Sequence, residues 1–363
     1  MGGFHAHLDR EALFERGDVY RVALDPERAA LPPIRLAILG AGGVAQAKYL
    51  PAITRLQTLW EPIEVVAVST LDACQRDKLS RIWGIPAYCD SGALLREHAP
   101  DAVLVTSSDD AHRELALAAL AAGAHVLVEK PLSRSLTDAA EMCRAADAAD
   151  RVLATACNKR YSPPYAEASR LLQDGRVPQP ALFSAKFTLG YDYVDLLPSG
   201  TVHMFDLARF LLGDIRRLSA VAAPARRESL IVTLEFTRGA IGTVVTTAAA
   251  LSLHPWERVE IFGDGAWLCV DDQATLTLHA GEYEPAQLWG PVVPNTLLSA
   301  EESGGYVGML KDFLDGIRRL ERHAHTWDGY RALELVVATR LSLHTGGFVD
   351  LPVDPNSDQN STV

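Results

Sequence analysis

Two separate stretches of the sequence carry side chains that could move a proton. Glu129-Lys130-Pro131 follows the apolar run His125–Val128 directly, and a lysine just past the end of a strand can donate and accept a proton when it is partly desolvated. His203 and Asp206 stand at positions i and i+3 of an amphipathic segment, so they share one helix face. The residues alone leave two alternatives open, namely a surface Glu-Lys pair before a proline turn and a hydrogen-bonded core histidine.

A glycine-rich segment follows the first apolar run and opens a segment of helical periodicity. Its sequence, Gly40-Ala41-Gly42-Gly43-Val44-Ala45, fits the GxGxxG/A pattern. Gly40 permits the tight turn, Gly42 lets the backbone approach a pyrophosphate, and the small Ala45 lets helix and strand pack closely. Main-chain amides at the start of the helix, including those of Gly43 and Val44, then face the phosphates. The segment therefore predicts a dinucleotide-binding site.

The end of the second apolar run bears on which dinucleotide binds. An acidic residue there would bind the adenosine ribose hydroxyls, but Thr70 occupies this position. A neutral residue tolerates a 2′-phosphate, and Arg76 or Lys78 could pair with that phosphate, whereas Asp72 could instead reach the ribose. The sequence thus predicts NAD or NADP as the cofactor, with a slight preference for NADP.

The elements that must position these residues alternate in type through the first half of the chain. The apolar runs are Ile34–Leu39, Ile63–Ser69, Ala102–Thr106, His125–Val128 and Val152–Cys157. The helical segments between them are Val44–Leu56, Cys74–Trp83, Ala111–Ala122 and Ser135–Ala149, the last with a capping-box-like start. This alternation predicts a Rossmann-type, doubly wound parallel sheet over residues 34–157, after an N-terminal extension of residues 1–33.

Strand-like segments follow one another with few helices between them after about residue 158. They are Ala181–Thr188, Ser229–Phe236, Ile241–Thr247, Glu257–Phe262, Trp267–Val270 and Thr275–His279. One helix, Val202–Leu212, ends at Gly213, and two more are predicted over Val307–Arg322 and Gly329–Thr345. Residues 158–353 are therefore predicted to form a substrate-binding α/β domain with a largely antiparallel sheet, whose C-terminal helices pack back toward the first domain. Residues 354–363 are a predicted tail.

Several motifs together resemble the glucose–fructose oxidoreductase / inositol dehydrogenase / MocA (GFO/IDH/MocA) family, from about Ile34 to Val353. Besides the glycine segment, they are Val105–His112, Ala122–Pro131, Asn158–Pro163, Gly200–Asp206 and Val259–Gly263. The resemblance implies a Rossmann domain and a second α/β domain with an open, mostly antiparallel sheet. It also implies a homodimer or homotetramer built on that sheet.

The same resemblance implies roles for individual residues. Lys130 is then the catalytic lysine, and His203 faces it across the substrate. Beyond the glycine segment and Thr70, the expected cofactor contacts are Ser107, Ser108, His112, Glu129 and Lys130, with the two serines replacing the family's usual Thr-Pro. The expected substrate contacts are Arg160, Tyr161, Tyr191 and Asp206, with plain hinge residues as the alternative for the first two.

One position departs from the family's pattern. Inositol-dehydrogenase-like members carry an aspartate four residues before this histidine, where the chain has Ser199. The group that orients the substrate hydroxyl must therefore differ, or come from Asp195, Tyr191 or Tyr193 in the adjoining loop. The substrate that is usual for that subgroup is not expected to transfer to this chain.

Composition and charge exclude several other classes of protein. The chain has 363 residues, 48% of them hydrophobic, and its net charge of −12 opposes binding to a nucleic-acid backbone. Because long apolar runs and an apolar leader are missing, neither a membrane partner nor secretion is expected. Five scattered cysteines indicate reduced thiols in a cytoplasmic protein, and the His-x-His pairs lack further ligands, so no metal is expected.

Together these observations predict an NAD(P)-dependent oxidoreductase that acts on a secondary alcohol or ketone of a sugar, sugar derivative or cyclitol. Lys130, helped by His203, is expected to take the hydroxyl proton as a hydride leaves the same carbon. A reductase of an imine or another unsaturated acceptor is one alternative. A non-catalytic, cofactor-sensing regulator on the same scaffold is another, because fold does not fix function.

Overall fold

The apolar runs of the first half form a six-stranded parallel sheet. The computed structural model describes residues 30–190, 195–250, 255–281, 284–290, 300–319 and 326–355. Nearly all of the predicted N-terminal extension, Tyr191, Tyr193 and most of the predicted tail lie outside these residues. The strands are β1 (Ile34–Leu39), β2 (Ile63–Ser69), β3 (Ala87–Tyr88), β4 (Ala102–Val105), β5 (His125–Val128) and β6 (Leu153–Thr155). Their order, β3-β2-β1-β4-β5-β6, is that of a Rossmann sheet.

Helices connect these strands, and their starts are set by local side chains. They are α1 (Leu50–Thr58), α2 (Ala73–Trp83), α3 (Ser91–His98), α4 (His112–Ala121) and α5 (Leu136–Ala149). A π-helical turn, Ala45–Tyr49, precedes α1 within the single helix that was predicted. Ser135 caps α5 by accepting a hydrogen bond from the Asp138 amide at 3.1 Å, as the capping pattern predicts. Strand β3 and helix α3 were not predicted, because both are short and weakly patterned.

The second half of the chain builds a nine-stranded sheet. Its strands are β7 (Leu182–Thr188), β8 (Ile215–Ala223), β9 (Arg226–Phe236), β10 (Ile241–Thr247), β11 (Trp256–Gly263), β12 (Ala266–Asp271), β13 (Thr275–Ala280), β14 (Gln287–Trp289) and β15 (Val349–Asp350). The order is β14-β13-β12-β11-β7-β10-β9-β8-β15, and every pair is antiparallel except β7 with β10. The mostly antiparallel sheet that the sequence predicts is thus confirmed, and β8, β14 and β15 are additions to it.

The helices of the second half are α6 (Pro163–Gln173), α7 (Val202–Leu212), α8 (Ala300–Ser303), α9 (Tyr306–Arg319) and α10 (Asp328–Thr345). A π-helical turn, Leu197–Thr201, leads into α7, and α7 ends at Gly213 as predicted. The helix α6 was not predicted. In the described part of the chain, no helix is both long and apolar enough to cross a membrane.

The two faces of the parallel sheet pack into different cores. Leu36 and Ile38 of β1 share one core with Leu310 and Phe313 of α9, so this C-terminal helix covers the first sheet. The alternate residue Leu39 belongs to the other core, which continues into the second sheet. Both halves of the chain therefore contribute to each of the two cores.

Candidate active site

The turns after β1, β2 and β4 meet at the carboxyl edge of the parallel sheet. The amide of Gly40 donates to Ser69 O at 2.9 Å, and Thr106 Oγ1 donates to Gly40 O at 2.9 Å. These bonds tie the glycine segment to the ends of its two neighbouring strands. In open α/β sheets, this edge is where ligands bind.

The glycines of the turn are constrained in different ways. Gly40 has φ +91°, and a Cβ there would lie 2.4 Å from Ser107 N, so the protein itself requires glycine. A Cβ on Gly42 would approach nothing closer than Gly40 O at 3.9 Å, and one on Gly43 would have open space. The helix begins at Gly43, so its first amides face this open space. The turn therefore fits the pyrophosphate of a dinucleotide.

The next two residues of the motif have distinct surroundings. Ala45 is fully buried between helix and strand, as the requirement for a small residue predicts. Val44 is 45% exposed. Because its side chain is apolar, its main-chain amide is the group that could bind a phosphate.

At the end of β2 the polar candidates Asp72 and Arg76 take different positions. Asp72 caps α2 by accepting a hydrogen bond from the Gln75 amide at 3.1 Å, which occupies one of its carboxylate oxygens. Arg76 Nη1 donates to Thr70 O at 2.7 Å and to Leu71 O at 2.8 Å. The guanidinium group therefore lies beside Thr70. The sequence had left open whether Arg76 or Lys78 would pair with a 2′-phosphate there.

His112 lies beneath the loop that follows β4. Its Nδ1 is 2.9 Å from Pro131 O, and its Nε2 is 3.2 Å from Ser107 O. The ring is fully buried and links the loop after β4 to the loop after β5, and its contact with the cofactor stays a prediction. Ser107 is half-buried and Ser108 is exposed, and Ser107 Oγ donates to Ser108 O at 3.2 Å.

The Glu129 carboxylate is held inside the protein. Tyr49 Oη donates to Glu129 Oε1 at 2.6 Å, and the Lys130 amide donates to Glu129 Oε2 at 3.1 Å. Burial, followed by the Glu129 charge, raises the pKa of Tyr49 well above its usual value, so its hydroxyl keeps the donated proton. Both carboxylate oxygens are engaged, so this side chain orients Lys130 rather than reaching for the cofactor.

Lys130 connects the two halves of the molecule. Its Nζ donates to Ser199 O at 2.9 Å, across the junction between the parallel sheet and the π-helical turn before α7. Ser199 stands where the resemblance implies an aspartate, and its main-chain carbonyl makes the contact with the lysine. No side-chain carboxylate is needed for this interaction.

His203 follows one turn later, in the first turn of α7. Its ring is partly buried, and none of the described residues hydrogen-bonds it. Burial, and then the positive charges of Lys159 and Lys130, lower the pKa of His203 well below its usual value. The imidazole is therefore neutral, and it lies close enough to Lys130 to be affected by its charge, while their joint role stays a prediction.

Two of the predicted substrate residues bind each other. Arg160 Nε donates to Asp206 Oδ2 at 2.7 Å, its Nη2 pairs with Asp206 Oδ1, and its Nη1 donates to Asp328 Oδ2 at 2.6 Å. Both side chains of the Arg160–Asp206 pair are almost wholly buried. The pair fixes α7 against the segment that follows β6, and the substrate contact of these two residues stays a prediction.

The other described substrate candidates, Tyr161 and Asp195, bind partners elsewhere in the protein. Tyr161 Oη donates to Asp312 Oδ2 at 2.8 Å, which directs the ring toward α9 and away from α7. Asp195 accepts the Leu197 amide at 3.2 Å and pairs with Arg340, so its carboxylate stabilises the start of the π-helical turn. Tyr191 and Tyr193 lie outside the described residues. In the described ranges, no group of three potential metal ligands occurs.

Sequence reasoning missed a buried polar cluster that begins at the residue before Arg160. It consists of Lys159, Tyr165, Glu257 and Gln273. Lys159 stands next to Arg160, but its partners come from β11 and from the turn after β12. No local spacing could have paired it with residues that are so distant in the sequence.

A Rossmann sheet, a glycine turn and a lysine at the carboxyl end of β5 define a two-domain oxidoreductase with a dinucleotide-binding site. Comparisons with known proteins agree with this class. The sequence matches the oxidoreductase family with an NAD-binding Rossmann fold over residues 34–157, and the GFO/IDH/MocA C-terminal domain over residues 165–269. The chain therefore belongs to the GFO/IDH/MocA family.

Its relatives include dehydrogenases of sugars and cyclitols. The myo-inositol 2-dehydrogenase of Thermotoga maritima is 27% identical over 73% of this chain and 84% of that protein. The D-apiose dehydrogenase of Paraburkholderia graminis is 26% identical over 79% of this chain and 83% of that protein.

Solved structures show the same fold. Levoglucosan dehydrogenase in complex with NADH superposes with a TM-score of 0.80 at 18% identity, covering 89% of this chain and all of that one. An NAD-binding oxidoreductase from Klebsiella pneumoniae gives a TM-score of 0.78 at 21% identity, with the same coverage of both chains.

Proposed function

We propose that the protein oxidises a secondary alcohol, or reduces the matching ketone, on a sugar, sugar derivative or cyclitol. Lys130 and His203 would form its acid–base pair. The observation that supports this most is the hydrogen bond from Lys130 Nζ to Ser199 O, one helical turn before His203. It joins the lysine of the cofactor domain to the turn that leads into the helix carrying His203. The relatives named for inositol and apiose support the substrate class.

The two side chains serve one proton transfer. Lys130 Nζ donates one hydrogen to Ser199 O, which holds the nitrogen in place and leaves its other positions for the substrate oxygen. Lys130, helped by the neutral His203, takes the hydroxyl proton as the carbon–oxygen bond gains double-bond character. When bound, the nicotinamide cofactor supplies the hydride acceptor. In the reverse direction, the pair returns the proton to the carbonyl oxygen.

NADP is the cofactor that the end of β2 favours slightly. Thr70 carries no charge that would repel a 2′-phosphate, and the Arg76 guanidinium is held beside it by two main-chain carbonyls. The remaining guanidinium nitrogens can pair with phosphate oxygens. NAD remains compatible with this site, because neither residue blocks the ribose hydroxyls.

A second copy of the chain is the partner that the outer face of the second sheet fits. Val221, Ile231 and Val245 are cross-strand neighbours on β8, β9 and β10, with exposed fractions of 70%, 52% and 37%. Such a contiguous apolar row is typical of an interface. A homodimer or homotetramer would bury it. The five cysteines are all free thiols, which favours a reducing, cytoplasmic location.

A spectrophotometric screen tests the proposed activity. Purified protein is incubated with a panel of sugars, sugar acids and cyclitols and either NAD⁺ or NADP⁺, and reduction of the nicotinamide is followed. Turnover should occur with at least one polyol and should disappear in Lys130→Met, which excludes a contaminating dehydrogenase. If no polyol or matching ketone turned over with either cofactor, while both cofactors still bound, the catalytic proposal would be overturned.

A further inference from the structure

The helix that follows the glycine segment is interrupted by the π-helical turn Ala45–Tyr49. The Leu50 amide closes this turn by donating to Ala45 O, a bond that spans five residues, whereas an α-helical bond spans four. Pro51 follows directly, and a proline inside a helix lacks an amide hydrogen and clashes with the carbonyl four residues before it. The local sequence therefore favours an irregular turn here, and turns of this kind are frequent at functional sites.

Tyr49, the last residue of the turn, points into the protein. Because a π-helical turn closes one residue later than an α-helical turn, residues at its end lie on a different face from the one that a regular helix gives them. The Tyr49 side chain is fully buried, and its Oη donates to Glu129 Oε1 at 2.6 Å. The turn thus connects the segment that carries the glycine motif to the residue before Lys130.

Both halves of the chain enclose the contact between Tyr49 and Glu129. Tyr306, at the start of α9, packs edge-on against Tyr49, with ring centroids 5.4 Å apart and an interplanar angle of 85°. Both rings belong to the core that α9 forms with the parallel sheet. A hydrogen bond to a charged group is strong, and a low local dielectric strengthens it further. The carboxylate oxygen that accepts from Tyr49 is therefore held in place.

The other oxygen of Glu129 holds the main chain of the lysine. The Lys130 amide donates to Glu129 Oε2 at 3.1 Å, and the Lys130 Nζ donates to Ser199 O at 2.9 Å. The lysine is thus held at both ends, by a carboxylate at its main chain and by a carbonyl at its side-chain nitrogen. Tyr49 is the residue that fixes this carboxylate from the helix side.

We propose that Tyr49 is a positioning residue of the active site, whose hydroxyl holds the Glu129 carboxylate and thereby fixes the point from which Lys130 reaches the substrate. This inference rests on the proposed function for the use made of the lysine, but the contact itself can be tested without substrate. A small displacement of a reacting group lowers the rate far more than it lowers binding. Loss of the hydroxyl should therefore lower kcat and leave cofactor affinity almost unchanged.

Hydrogen–deuterium exchange of the intact protein, read by mass spectrometry of overlapping peptides, tests the contact. In Tyr49→Phe the Lys130 amide should exchange about tenfold faster than in wild type, because its acceptor is no longer held. Tyr88→Phe removes a hydroxyl that lies 2.8 Å from His98 Nε2, on the edge strand β3 of the same sheet, and should leave this amide unchanged. Unchanged exchange in Tyr49→Phe, or equal acceleration in Tyr88→Phe, would overturn the inference.

Kinetics with a substrate found by the screen test the consequence for the reaction. Tyr49→Phe should lower kcat by about tenfold, because the lysine is no longer held in its reactive position. The cofactor dissociation constant, measured by calorimetry, should stay within about twofold of wild type. Tyr88→Phe should change neither quantity. An unchanged kcat in Tyr49→Phe would contradict the inference.

The Lys130→Met background distinguishes positioning from a general loss of structure. When Tyr49→Phe is added to Lys130→Met, the residual rate should fall by no more than about twofold, because the group that Tyr49 positions is already gone. A purely structural effect would lower the rate by the same factor in both backgrounds, and this result would overturn the inference.

A further pair of variants removes the charge that Tyr49→Phe leaves without its partner. Tyr49→Phe/Glu129→Gln has neither the hydroxyl nor the carboxylate charge, so it can fold where Tyr49→Phe is unstable. Its kcat should lie within about twofold of that of Glu129→Gln, because Tyr49 acts through Glu129. Rate losses that multiply in the double variant would contradict this route.

The same measurements separate this inference from the proposed function. If Lys130→Met abolishes turnover while Tyr49→Phe keeps the kcat of wild type, the inference fails and the proposed role of Lys130 stands. If Lys130→Met keeps its turnover, the proposed role of the lysine fails, and the positioning role of Tyr49 fails with it.

Discussion

The two sides of the proposed site are built in different ways. The Rossmann side is built mostly from main-chain atoms of short contiguous segments, such as Gly40–Ala45 and the end of β5. The other side depends on buried side chains that are held by partners from distant segments, as Arg160 holds Asp206 and Glu257 holds Lys159. One side depends on backbone shape, and the other depends on buried charge pairs.

This contrast predicts different consequences of mutation. Substitutions in the glycine segment change what can bind, because open space beside the backbone is the functional feature. Substitutions in the buried pairs change stability, because removing one partner leaves an uncompensated charge inside the protein. Substitution of Lys130, whose side chain reaches from one side to the other, should instead change the rate of the reaction.

The largest effect is expected at Lys130, where the two sides meet. Lys130→Met keeps most of the side-chain volume and removes the proton carrier, so kcat should fall by about 10²–10⁴-fold while cofactor affinity is retained. Steady-state kinetics and calorimetry measure the two quantities. Lys311→Met, which removes a lysine from an ion pair with Asp315 on α9, should leave kcat unchanged. Near-wild-type turnover in Lys130→Met would make the lysine a turn residue only.

The next largest effect is expected at the buried ion pair. Arg160→Met leaves the Asp206 carboxylate without its main partner and should lower the free energy of unfolding by about 3–5 kcal/mol. Arg134→Met breaks an exposed pair with Asp110 and should cost no more than about 1 kcal/mol. Denaturant unfolding compares the two. Equal and small losses would show that the pair does not fix α7.

Gly40 and Gly42 should respond to substitution in different ways. Gly42→Val meets no protein atom at close range, so the variant should fold while its cofactor affinity falls by about tenfold or more, because the side chain fills the phosphate space. Gly40→Ala should instead lower stability, since its Cβ meets the Ser107 backbone. Calorimetry with NAD⁺ and NADP⁺ and thermal unfolding separate these effects. If Gly42→Val bound the cofactor as tightly as wild type, the pyrophosphate would not bind at this turn.

The same contrast explains how much could be predicted from the sequence. The parallel strands β1, β2 and β5 have the predicted bounds, because a strand buried on both faces is a continuous apolar run. The glycine turn was also predictable, since its geometry follows from residue types within one short segment. Strands β3 and β15 have two residues each, and such short segments carry no periodic signal.

The second side of the site was predicted only in part. His203 was found through the resemblance, but Arg160 and Asp206 were expected to bind substrate, and the structure pairs them with each other. Local sequence reports the type of a side chain and not the distant residue that it meets. The Lys159–Glu257 pair joins segments on different elements, so only the folded chain reveals it.

The smallest effect is expected in the choice of cofactor. Thr70→Asp should shift the ratio of kcat/KM values toward NAD by about tenfold, because a carboxylate repels the 2′-phosphate and binds ribose hydroxyls. Arg76→Met should weaken NADP more than NAD, since only NADP carries the phosphate. Kinetics with both cofactors provide the ratio. If neither variant moved it toward NAD, these residues would not lie at the ribose.

The central claim is that Lys130 and His203, one from each side, serve a single proton transfer. A double-mutant cycle on kcat tests it most directly, with Lys130→Met, His203→Ala and the combined variant on one substrate. The account predicts that the combined variant is slower than Lys130→Met by no more than about threefold, because the second substitution removes a function already lost. Rate losses that multiply, each variant contributing its full factor, would contradict it.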